Sequence, residues 1–220
     1  MRREVDVARP VVEWLEAQHW DVYQEVQCYR GRADIVATNG FLVWVVECKT
    51  SLTLSVMDQA RRWPVHFRSV AVPTAYRSRD SRGVAFEIAE KYFKVGVLTV
   101  SDTSYNSVTE KVPAPLIRHF HKASKRIVEA LVPEQKYMAE AGSKSGDYYT
   151  PYKGTMMAVR NYIKKNPGCT LKEIMTALGK MHYASEASAR SSIPRALRYI
   201  EDWCRIDESK RPFRFYIKGD

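Results

Sequence analysis

The sequence predicts a mixed α/β protein in which a mixed sheet is flanked by helices and followed by a smaller helical unit closed by a hairpin. Three observations carry this. Strand-like runs alternate with helical periodicity through the first two thirds of the chain, the pattern of a sheet covered by helices. Small, polar and turn-forming residues interrupt that pattern at Lys136–Tyr152. Beyond them only helices and one terminal hairpin are expected, which divides the chain into residues 1–135, a linker at 136–153 and residues 154–220.

In chain order, a helix ends near Gln18 and extended segments follow at Asp21–Tyr29, Arg32–Thr38 and Phe41–Lys49. The third contains Phe41–Val46, a continuous apolar run of the kind buried on both faces. A helix over Leu54–Trp63, a strand at Ser69–Val72, a helix at Arg82–Phe93, a strand at Val95–Val100 and a helix at Pro115–Leu131 complete the first unit. In the second, Thr155–Lys165 places Met156, Val159, Tyr162 and Ile163 on one face and stops at Asn166-Pro167-Gly168. Thr170, three residues before Glu173, forms a capping box for a short helix to Leu178. Glu186–Cys204 reads as a third helix, and Cys204–Ile217 alternates about the turn-prone Asp207-Glu208-Ser209-Lys210.

The chain has 220 residues, 45% of them hydrophobic, enough to bury a core. Its net charge of +10 favours an anionic partner. The excess is concentrated at the C-terminal end, where residues 151–220 hold 14 Lys and Arg against 7 Asp and Glu, leaving a net of +3 for residues 1–150. No run approaches the roughly 20 apolar residues of a membrane span, and Met1-Arg2-Arg3-Glu4 does not begin a signal peptide. The expectation is a cytoplasmic protein with no membrane partner. Cys28, Cys48, Cys169 and Cys204 form no CxxC pair and are read as free thiols.

Asn39-Gly40 tolerates the positive φ angles of a two-residue hairpin turn. Pairing Thr38 with Phe41 sets Asp34 opposite Val45, one diagonal step from Glu47, and strand alternation puts Glu47 and Lys49 on the Asp34 face. A turn at Arg30-Gly31, pairing Tyr29 with Arg32, sets Glu25 opposite Val36 on that face too. Carboxylates this close are stable as anions only with a cation between them, and an all-oxygen site suits Mg²⁺ or Mn²⁺. Such an ion polarises a phosphate and acidifies a bound water, while Lys49 positions the water or neutralises the transition state. An isolated ExK triplet ordinarily marks a solvent-facing strand, but charged residues ending the Phe41–Val46 run need another reason.

Gly31-Arg32-Ala33-Asp34-Ile35-Val36, a hairpin, then Val45-Val46-Glu47-Cys48-Lys49-Thr50 resembles the PD-(D/E)XK nuclease superfamily, in particular its restriction-endonuclease-like and Holliday-junction-resolvase branch. The resemblance spans about residues 4–100. It implies a restriction-endonuclease-like sheet and a Mg²⁺-dependent phosphodiesterase, with Asp34, Glu47 and the Cys48 carbonyl as metal ligands and Lys49 assisting the water; Glu25, set on the same face by the strand register, is a further candidate metal ligand. It also implies an acid on the first helix, for which Glu4 and Glu13 are candidates, and a catalytic glutamine, matched by Gln59. Two departures are Ala33 in place of proline and Pro10, which would interrupt the first helix. Residues 155–220 resemble a winged helix-turn-helix domain, implying a recognition helix at Ser185–Arg198 and a wing at Lys210–Arg214. Arg190, Arg195, Arg198, Lys210, Arg211 and Arg214 are its candidate DNA contacts. The leading expectation is a DNA endonuclease anchored to duplex by this domain. The alternatives are a non-catalytic DNA-binding regulator with a nuclease-like scaffold, or a winged helix serving protein association; a homodimer, and RNA or branched DNA as substrate, stay open. His119 and His121, at i,i+2, share no helical face and are read as surface residues. Tyr137, Tyr148, Tyr149 and Tyr152 are read as packing against a domain or stacking on bases.

Overall fold

The computed structural model describes residues 3–28, 31–74, 80–101, 107–143 and 148–219, and for residues 80–82 the backbone alone. Of the expected turn at Arg30-Gly31, pairing Tyr29 with Arg32, Tyr29 and Arg30 lie outside the described residues. The chain forms two compact units, Met1–Tyr149 and Thr150–Asp220.

In the first unit six strands lie side by side in chain order: β1 (Asp21–Cys28), β2 (Gly31–Asn39), β3 (Leu42–Cys48), β4 (Phe67–Pro73), β5 (Gly96–Val100) and β6 (Val108–Val112). β1, β2 and β3 are antiparallel neighbours, β3, β4 and β5 run parallel, and β6 returns antiparallel. Parallel neighbours need crossovers. These contain α2 (Leu54–Arg61) between β3 and β4, and α3 (Asp80–Ile88) with a π-helical turn at Ala89–Phe93 between β4 and β5. α1 (Glu4–Ala17) covers one sheet face, packing Val7, Ala8, Val11 and Leu15 against Ile35, Trp44, Val46 and Leu98. On the other face Met57 and Ala60 of α2 meet Val70, Val72 and Val97, and Ile127 of α4 (His121–Glu129) meets Val36, Val43 and Val45. β6 is absent from the sequence reading because only its ends, Val108 and Val112, are buried, so it shows no alternation.

Pro10 does not end α1, which continues through it to Ala17. An interior proline costs a helix about 3 kcal/mol, whereas burying Val7, Val11 and Leu15 stabilises by roughly 1.5–3 kcal/mol each. Packing onto the sheet therefore outweighs the lost hydrogen bond, and Glu4 stays on the helix.

Both hairpin registers differ by two residues from the expected ones. Asn39 pairs with Leu42, and Gly40 (φ 58°) and Phe41 form the tip, with Phe41 68% exposed instead of entering the strand. The pair Ile35–Val46 follows, and one further step sets Asp34 opposite Glu47 rather than Val45. Across the other hairpin Gln24 pairs with Ile35 and Val26 with Ala33, which sets Glu25 opposite Asp34 rather than Val36. A two-residue slip does not by itself move a side chain to the other face, so Asp34, Glu47 and Lys49 remain together; β1 breaks its alternation at Glu25 (φ 51°), and Val22 and Val26 pack on opposite faces of the sheet.

The expected linker at 136–153 is in its first half part of the first unit. Gln24, on edge strand β1, donates to the Lys136 carbonyl (3.1 Å) and accepts from the Ala141 N–H (2.9 Å), while Arg9 pairs with Glu140 (3.0 Å). Gly142 has φ 75°, and a Cβ there would lie 2.7 Å from the Glu4 carbonyl carbon, so only glycine lets this segment sit against the start of α1.

In the second unit α5 (Pro151–Lys165), α6 (Leu171–Leu178) and α7 (Glu186–Tyr199) are followed by the antiparallel pair β7 (Cys204–Asp207) and β8 (Arg214–Ile217). Each helix starts at a hydroxyl cap: Thr150 accepts from the Lys153 N–H, Thr170 from Glu173 and Ser185 from Ser188. The core gathers Met156, Val159, Ile163, Ile174, Ile193, Leu197 and Phe215. Phe215 also ties β8 to the α5–α6 turn, donating to the Cys169 carbonyl and accepting from the Gly168 N–H. Among the described residues no helix is long and apolar enough to cross a membrane.

Candidate active site

Three buried acids and a lysine converge where β1, β2 and β3 meet the start of α1. Asp34 (7% exposed) accepts through Oδ2 from the Cys48 N–H at 2.8 Å and from Lys49 Nζ at 3.0 Å. Lys49 Nζ also lies 3.4 Å from Glu4 Oε2 and 4.0 Å from Glu47 Oε2. Glu47 is fully buried; its Oε1 accepts from Trp63 Nε1 (2.6 Å) and its Oε2 from Gln59 Nε2 (2.7 Å). Both donors are neutral, so they orient the carboxylate without cancelling its charge. Glu25 (1% exposed) accepts from the Gly142 N–H at 2.7 Å, and its Oε2 lies 2.7 Å from Arg32 Nε as an ion pair without a directed hydrogen bond.

The electrostatics follow from crowding. Burial, and then the neighbouring Asp34 carboxylate, push the Glu47 carboxyl up to about 8. The same two causes raise Glu25, against the lowering effects of Gly142, Arg32 and Lys49. Burial alone would lower Lys49, but Asp34, Glu4 and Glu47 outweigh it and hold it as an ammonium. Lys49 is therefore placed to neutralise charge rather than to accept a proton. The Cys48 thiol is raised well above its ordinary value by burial and the nearby acids, so its side chain stays neutral.

A stability signature follows. Because the Glu47 pKa is raised from 4.5 to about 8 in the folded state, the folded protein keeps a proton that the unfolded chain releases. That contribution is full below pH 4.5 and is lost as pH rises to about 8. In EDTA the melting temperature of the parent should fall across this window relative to that of Glu47→Gln, which lacks the ionisation. Parallel melting profiles for the two proteins would exclude a protonated Glu47.

The structure brings together Asp34, Glu47, Lys49, Gln59, Glu25, the Cys48 backbone and Glu4. It does not bring Glu13, which lies exposed on α1. Trp63 was missed by sequence reasoning. Its signal is its place just past the end of α2, four residues after Gln59, from where its indole reaches the same carboxylate. Among the described residues no three His, Cys, Asp or Glu side chains are arranged to hold a metal by themselves. The donors suited to a hard divalent ion are Asp34, Glu47 and the Cys48 carbonyl. Mg²⁺ is commonly held by one or two carboxylates with water completing its shell, and each Glu47 oxygen keeps a lone pair beyond its hydrogen bond, so the residues fit the ion.

The second unit's candidate contacts divide into two groups. Arg190, Arg195 and Arg198 are exposed on α7; Arg195 has no ion-pair partner among the described residues, whereas Arg190 faces Glu186 (3.8 Å) and Arg198 pairs with Glu208 (2.5 Å). Lys210 pairs with Asp207 (3.4 Å) and Arg211 stacks on Phe213 (4.3 Å). Arg214 donates to the Gly168 carbonyl (3.0 Å), which ties it to the fold of the unit. Compared with known protein families, curated proteins and solved structures, the chain matches none.

Proposed function

We propose that the protein is a Mg²⁺- or Mn²⁺-dependent DNA endonuclease of the PD-(D/E)XK kind, with the first unit cleaving and the second, read as a winged helix, holding duplex DNA. The observation that carries this is the set made by Asp34 and Glu47 on neighbouring strands with Lys49 Nζ 3.0 Å from Asp34. The order β2, turn, β3, α2 on which the resemblance rests is present, and Gln59 of α2 reaches Glu47. When bound, the ion would supply Lewis-acid stabilisation of the phosphate and an acidified water. Asp34, Glu47 and the Cys48 carbonyl would hold it. Gln59 and Trp63 keep the Glu47 carboxylate in one orientation, and Lys49 stabilises negative charge developing on the phosphate oxygens. For the second unit, the net +7 of residues 151–220 and the exposed arginines of α7 support a phosphate-binding role.

Calorimetric titration with Mn²⁺ tests the site. Asp34→Ala and Glu47→Ala should each lose measurable uptake, and parent-like uptake by both would disprove the assignment. The activity itself is read by incubating plasmid, linear, single-stranded and four-way-junction DNA with Mg²⁺, Mn²⁺ or EDTA. Cleavage that needs the divalent ion is the expected result.

A further inference from the structure

Beside the acid pair a cleft of about 360 Å³ is lined by Arg32, Ser55, Asp58, Gln59, Arg62 and Trp63. Gln59 and Trp63 are the two donors to Glu47, so this wall separates the cleft from the carboxylates by one side chain. Arg32 is fixed from two directions. Its Nε meets buried Glu25 (2.7 Å), and its guanidinium lies 4.6 Å over the Tyr148 ring. Among the described residues neither of its Nη atoms has a hydrogen-bond or ion-pair partner. Of the lining residues Arg62 pairs with Asp58, which Arg61 also pairs with from outside the cleft, so Asp58 is neutralised and Arg32 keeps a free fork.

We infer that this cleft binds a phosphate of the nucleic-acid strand next to the one cleaved, with Arg32 as its principal contact and Glu25 as the residue that positions Arg32. A guanidinium held by its Nε presents the remaining fork to an anion, which is the geometry of bidentate phosphate recognition. Arg62, on the opposite wall, and the Ser55 hydroxyl add a second cation and a donor. The volume lies at the small end of ligand sites and has room for one phosphate with its sugar. The assignment gives Glu25 a different task from the metal ligation suggested by its place on the Asp34 face. Gly142 and Arg32 already engage its two oxygens, and it reaches the substrate through Arg32. The inference rests on the nuclease reading for the identity of the strand.

The test is direct binding of short fluorescein-labelled oligodeoxynucleotides, 5′-phosphorylated and 5′-hydroxylated, to the full chain in EDTA over a range of salt. Arg32→Gln should weaken binding about tenfold and reduce the salt slope by about one. Glu25→Gln, which keeps the shape and the Gly142 contact, should show a smaller loss in the same direction. Both should take up Mn²⁺ with the parent's affinity. A loss confined to the 5′-phosphorylated strand identifies a terminal phosphate as the ligand, and an equal loss with both identifies an internal one. Parent affinity and slope in Arg32→Gln would overturn the inference, and this holds even where Glu25→Gln fails to fold. Loss of Mn²⁺ uptake in folded Glu25→Gln with normal strand binding would overturn the role of Glu25 and return it to the metal. Absence of Mn²⁺ uptake by the parent would instead overturn the nuclease reading, with the Arg32 result still deciding the cleft.

Discussion

Lys49→Ala is expected to slow metal-supported cleavage by about 10²–10³-fold, the usual cost of removing one preorganised charge from a developing oxyanion. The same variant should keep DNA affinity, Mn²⁺ uptake and melting temperature close to the parent's. Lys49 sits among Asp34, Glu4 and Glu47, so its removal takes away a cation that competes for the metal ligands and leaves the acids free to bind the ion. Its raised pKa adds a second signature: the rate should show no inflection from Lys49 deprotonation in the neutral range. Single-turnover rates at saturating Mn²⁺ measure the first effect and their pH dependence the second. A parent rate for Lys49→Ala would remove the residue from the mechanism.

Phe215→Ala should destabilise the second unit by about 3–5 kcal/mol, the range for deleting a buried aromatic side chain. Phe215 is 1% exposed and packs in the centre of a core shared by α5, α6, α7 and the hairpin. A unit of this size carries only about 0.05–0.15 kcal/mol of stability per residue, so the loss consumes most of what it has. Differential scanning calorimetry should show a separate transition at lower temperature while the transition of the first unit stays in place. A single transition displaced as a whole would show that the two units unfold as one.

The mixed sheet, its two helical faces and the order of the second unit were legible because periodicity, caps and turn residues all pointed the same way, as with Thr170 and Glu173. The face shared by Asp34, Glu47 and Lys49 was legible for a simpler reason: strand alternation survives an error of two residues. The pairing partners were not, because Asn39-Gly40 marks a turn without saying which residues form its tip, and the structure puts Gly40 and Phe41 there. Glu25 was found, but its partners were hidden. Gly142 comes from a segment whose composition reads as linker, and its contact depends on a backbone approach that only the assembled fold reveals. Trp63 was hidden because a tryptophan ending an amphipathic helix ordinarily signals core packing. Its ring does pack in the core, and its Nε1 also serves a buried carboxylate.

The cysteines give the molecule an internal clock. Cys28 and Cys48 are buried in the first unit and Cys169 and Cys204 in the second, and burial raises all four thiols above their ordinary values. Such thiols react with alkylating reagents only when the chain around them opens. Pulsed alkylation followed by peptide mass analysis would therefore time the opening of each unit separately in the unmodified protein. Cys48 adds local resolution, because its N–H is held by Asp34. Slower alkylation of Cys48 on adding Mn²⁺, with Cys169 and Cys204 unchanged, would report occupancy of the acidic site without any assay of cleavage.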